Sequence, residues 1–157
     1  MLFRSRDESV PFEARTSPQP AALGRALEDK TPINGAVLQL HFGDEVARLA
    51  ISDLWSCCCE LLLQAELVRE ARLDHFIFDV ERVFDLAYEG DRILCTFSRE
   101  HVFAVPRNEF ANALERLVQS IFAGTTCPRL MRAGAAWGAS SIFSQPYYYR
   151  FSDSVPA

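Results

Sequence analysis

Residues 76–88 read FIFDVERVFDLAY, and their alternation decides the fold class. Even positions supply Phe76, Phe78, Val80, Arg82, Phe84, Leu86 and Tyr88, and odd positions supply Ile77, Asp79, Glu81, Val83, Asp85 and Ala87. Successive side chains of an extended chain point to opposite faces. One face is therefore apolar and the other carries carboxylates, as in an antiparallel sheet with one side on a core and one in water. The stretch is longer than an ordinary strand, which predicts a break near Glu81-Arg82. Arg82 falls on the apolar parity, so the acidic face has little basic compensation.

Toward the C-terminus, Glu89-Gly90-Asp91 reads as a hairpin turn. Ile93, Cys95 and Phe97 share one face of a return strand, Ser98–Glu100 turns again, and Val102–Val105 makes a further strand. Adjacent strands joined in this way form a meander. Pro106 and Asn108 then open a helix in which Phe110, Ala113, Leu114, Leu117, Val118, Ile121 and Phe122 recur at helical spacing. Gly124 is placed to end it. Thr125–Ser141 is expected to be a loop, and Tyr147, Tyr149 and Phe151 alternate as a last strand.

Toward the N-terminus, Leu38, Leu40 and Phe42 alternate with Val37, Gln39 and His41 as a strand. Gly43-Asp44 turns the chain, and Val46–Ile51 returns. Ser52 or Asp53 caps a helix carrying Leu54, Cys58, Leu61, Leu62, Ala65 and Val68 at helical spacing, with Leu63 and Leu67 widening its apolar arc. The expected fold is α+β, an antiparallel β-meander sheet packed against two main helices. Pro11, Pro18, Pro20 and Pro32 punctuate a polar opening stretch. Residues 1–34 are expected to form a flexible or loosely packed tail before a single domain over 35–157. A short helix at Ala21–Leu27 is weakened by Gly24.

A chain of 157 residues suits one domain with a real core, and 49% hydrophobic with 24% charged residues is ordinary for a soluble globule. No apolar run approaches the ~20 residues that span a bilayer, and MLFRSRDESVPFEAR lacks the apolar region of a secretory signal. Three of the five cysteines are adjacent, which suits a reducing cytoplasm better than a disulfide framework. The net charge is uneven: residues 35–124 hold fifteen acidic and eight basic side chains, while 125–157 hold one and three. An acidic body argues against a nucleic-acid ligand, whose phosphates need a basic surface.

Catalytic and cofactor signatures are missing. Cys57, Cys58 and Cys59 on a helix fan out by about 100° each and cannot close on one metal ion, so they are expected to pack as small hydrophobes. His41, His75 and His101 belong to no metalloprotease or nucleophile-elbow pattern. The seven glycines form no phosphate-binding loop. An acid–base site of Asp74, His75 and Asp79 is the enzymatic alternative. What remains is the acidic face of Asp79, Glu81 and Asp85, continued by Glu89 and Asp91. Like charges so close together favour a basic protein partner.

The order hairpin, helix, meander, helix over residues 36–124, with FIFDVERVFDL and VPRNEFANALERLVQSIF, resembles small bacterial immunity proteins. These are the cytosolic antidotes encoded with polymorphic toxins of contact-dependent inhibition and type VI secretion. The resemblance implies a monomeric non-enzyme that binds one toxin domain, commonly a cationic nuclease, and blocks its active site or substrate surface. From the residues themselves no cofactor, metal or membrane contact is expected. A type III secretion chaperone, also small, acidic and α+β but dimeric, is the alternative.

Overall fold

The computed structural model describes residues 8–123 and 125. Along these run β1 (Phe12–Ser17), α1 (Pro20–Asp29), β2 (Val37–Phe42), β3 (Glu45–Ala50), α2 (Leu54–Arg69), β4 (His75–Phe78), β5 (Glu81–Glu89), β6 (Arg92–Ser98), β7 (His101–Pro106) and α3 (Arg107–Ala123). The fold is α+β, with antiparallel sheets ordered β1-β2-β3 and β4-β5-β6-β7. One parallel bridge, Ser9 beside Ala104, joins them, with the Val10 amide donating to the Ala104 carbonyl at 2.8 Å. The Gly124 stop, the loop from residue 126 onward and the Tyr147–Phe151 strand lie outside the described residues.

Several elements form for local reasons. Asp53 is extended and its carboxylate accepts from the Ser56 amide at 3.2 Å, so the cap foreseen for α2 is in place. Gly43 and Gly90 take positive φ angles of 63° and 64° at the β2–β3 and β5–β6 turns. The apolar stripe of α3 from Phe110 to Phe122 is buried throughout. That helix touches α1, α2, β1, β6 and β7, and so lies over the junction of the two sheets.

Part of the expected tail belongs to the fold. All six residues of β1 pair with β2, from Phe12 opposite Phe42 to Ser17 opposite Val37. Phe12 is 1% exposed and Leu23 of α1 is fully buried. Two of the prolines that suggested a loose segment sit at the starts of elements. Pro11 precedes β1 and offers only its carbonyl, which accepts from the Gly43 amide at 2.9 Å. Pro20 occupies the start of α1, where its missing N–H would have had no helical partner.

Seven phenylalanines tie these elements together. Phe42 of β2 meets Phe103 at 5.0 Å, Phe12 at 5.1 Å, Phe97 at 5.4 Å and Phe84 at 5.8 Å between ring centroids. Phe12 stands 4.5 Å from Phe110 of α3, and Phe76 stacks on Phe84 at 4.8 Å. Aromatic pairs at these separations add about 0.5–1.5 kcal/mol each beyond their buried area. Phe12→Ala is expected to destabilise the protein by about 3–5 kcal/mol in urea unfolding. A cost below about 1 kcal/mol would return β1 to the status of a loose tail.

Candidate functional site

The β4–β5 hairpin is the least ordinary piece of backbone. Phe78 pairs with Glu81, so Asp79 and Val80 alone make the turn, and their φ angles are 53° and 59°. Two-residue turns of this kind favour Asn-Gly or Asp-Gly, because both positions must be left-handed. A β-branched residue in that region costs roughly 1–3 kcal/mol. Val80 is nevertheless there, and the residue is 92% exposed.

Helix α2 holds the turn. Glu60 accepts from the Asp79 amide at 3.3 Å and from the Val80 amide. One helical turn on, the Gln64 side chain behaves like a peptide group toward the outer edge of β4. Its amide nitrogen donates to the Ile77 carbonyl at 2.7 Å, and its oxygen accepts from the Ile77 amide at 2.7 Å. Ser52, just before α2, donates to the Asp79 carboxylate at 2.9 Å. Burial raises the Glu60 carboxyl to about 7, with the Asp79 and Asp53 carboxylates pushing the same way and the turn amides opposing. Sequence reasoning alone does not single out Glu60 or Gln64. Two polar residues four apart on a helix expected to be buried were the available signal.

The five acidic residues do not form one face. Asp79 and Glu81 flank the tip, both exposed. Asp91 sits at the opposite end of β5, whose nine residues span roughly 30 Å. Between them the charges are neutralised within the chain. A bulge in β5, with Phe84 opposite Phe76 but Arg82 opposite Ile77, brings Arg82 round to Asp85, against the parity expectation. Arg82 bonds Asp85 at 2.6 Å, and His75 bonds the same carboxylate oxygen at 2.9 Å. The Arg82 bond first, then His75, holds the Asp85 carboxyl down at about 2. Glu89 pairs with Arg92 at 2.7 Å.

Of the residues of the enzymatic alternative, His75 bonds Asp85 and Asp79 bonds Ser52. Cys57, Cys58, Cys59 and Cys95 are buried free thiols. Burial raises all four, Cys58 to about 12, which keeps them protonated and poorly nucleophilic near neutrality. Among the described residues no three His, Cys, Asp or Glu side chains converge as a metal site, and no helix is long and apolar enough to cross a membrane.

Two substitutions test the anchoring. Gln64→Leu strands two backbone groups of Ile77 and is expected to cost about 1–3 kcal/mol in chemical denaturation. For Glu60, a folded value near 7 against 4.5 in the unfolded chain means that the folded chain binds more protons between those values. Stability therefore falls as pH rises from about 4.5 to 7, and the loss is complete above that window. Glu60→Gln is expected to remove it, gaining ~1 kcal/mol at pH 8 and little at pH 4. The gain is set below the full shift because the carboxylate still touches solvent. Parallel melting curves across that range check the sign.

Comparison with known proteins finds no matching family model, no matching curated protein and no matching solved structure.

Proposed function

We propose that this chain is a binding protein that neutralises a cationic enzyme, of the kind represented by a nuclease toxin, by direct complex formation through the β4–β5 tip. One observation carries the reading: an exposed valine held in a left-handed conformation between two acidic residues. Strain of this sort persists only where surrounding structure over-determines it, and it concentrates at sites of function. Glu60, Ser52 and Gln64 supply that surrounding structure. A tip fixed beforehand loses little entropy on docking. An apolar centre with a charged rim is the usual anatomy of a protein interface. Asp79 and Glu81 would speed encounter with a basic cleft, a contribution that falls with salt. Asp85 and Glu89 contribute less because Arg82, His75 and Arg92 already neutralise them.

The test is association kinetics with a basic enzyme encoded beside this chain. Glu81→Lys is expected to slow association several-fold at low salt, with the difference vanishing near ~0.5 M. Val80→Gly relieves the turn, so it should hold or raise the melting temperature while speeding dissociation at least tenfold. Wild-type kinetics in both variants would remove the tip from the interface. A stable homodimer in gel filtration would favour the secretion-chaperone reading instead.

A further inference from the structure

A second surface, sharing no residue with the hairpin tip, is built between β1 and α3. Residues Glu13 to Thr16 line one wall of a cavity of about 540 Å³. Ala113, Arg116, Leu117 and Ser120, one stripe of α3 at helical spacing, line the other, and Gln19 and Pro20 at the start of α1 close its end. Consecutive residues of a strand line a cavity in this way when the cavity opens along the strand's edge.

The hydrogen-bond pattern identifies that edge as open. Pro11 is paired with Gly43 through its carbonyl, so by alternation Glu13, Arg15 and Ser17 exchange bonds with β2. The even residues direct their N–H and C=O groups the other way. Val10 uses that direction to reach Ala104 of β7. Strand β7 ends at Pro106 and the chain turns into α3, so no described strand continues beside Ala14 and Thr16. The Thr16 hydroxyl, shielded from solvent, also has no hydrogen-bond partner among the described residues. A buried hydroxyl left this way costs about 1–3 kcal/mol.

Charge selects the occupant. Arg15 is bonded to Glu13, so that pair cancels. Arg116 has no side-chain partner among the described residues, and the first turn of α1 holds no acidic residue to offset its positive dipole end. The groove is thus electropositive on a chain whose net charge is −5. The chain's own residues 126–157 are a poor match, since Arg129, Arg132 and Arg150 outnumber Asp153.

We infer that this groove binds an extended acidic peptide segment of a partner protein, which adds a strand to the free edge of β1 and sets carboxylates against Arg116 and the start of α1. Edge addition gives backbone affinity, and the side-chain pockets give selectivity. The apolar wall of Ala14, Ala113 and Leu117 takes the alternate side chains of such a strand.

The full chain, labelled with ¹⁵N, is titrated with an acetylated heptapeptide of alternating valine and aspartate, and separately with its valine–lysine counterpart. Saturable binding of the acidic peptide is expected, at least tenfold tighter than the basic one, with the largest shifts at the Ala14 and Thr16 amides. Ala14→Pro deletes an outward N–H without touching the β2 ladder, and Arg116→Glu reverses an exposed charge. Each is expected to weaken binding at least tenfold with melting temperature retained. Equal affinity for the two peptides, no saturation, shifts confined elsewhere, or indifference to both variants would overturn the inference. So would slow exchange of the Ala14 and Thr16 amides in the free chain, because that edge would then be paired by the chain itself. None of these outcomes depends on the hairpin tip.

Discussion

The structure depends on Phe42. It projects from the smaller sheet into rings supplied by the larger one, meeting Phe84, Phe97 and Phe103, and it receives Phe12 from its own neighbouring strand. Among the described residues one short bridge joins the sheets through backbone, so side-chain packing does most of the joining. Helix α3 seals the arrangement by placing Phe110 against Phe12, Phe76 and Phe84. The two hairpin halves of the molecule therefore share one core, and neither buries its apolar face alone.

Much of this architecture was legible because period and burial agree. Leu38, Leu40 and Phe42 alternate and are buried, and the stripe of α3 recurs without a gap. The opening segment was not legible. The sequence PFEARTSP has a strand's alternation in Phe12, Ala14 and Thr16, but only one of the three is large and apolar. Prolines on both sides lowered its strand character, and nothing local reveals that Phe42 and Phe110 wait to receive Phe12. The bulge in β5 was invisible for a related reason. A one-residue slip in pairing is fixed by the partner strand and by packing, not by the residues that slip.

That slip changes the electrostatics of the molecule more than any single charge does. Read as an unbroken strand, β5 would show an uncompensated acidic face. With the bulge, Arg82 reaches Asp85, and the same carboxylate takes His75. Of the five carboxylates, those left without a basic partner lie toward the ends of the strand, and at the turn Glu81 and Asp79 frame Val80. The geometry of that turn is costly and supported, whereas a solvated row of carboxylates on a sheet is neither.

Gln64 has a consequence in the order of synthesis. It is translated before Ile77, and α2 before β4. The group that closes the outer edge of β4 is thus already on the chain when that strand emerges. A nascent strand with an open edge is a hazard to its neighbours on a crowded polysome. Here the group that covers the edge leaves the ribosome 13 residues ahead of the backbone it pairs with.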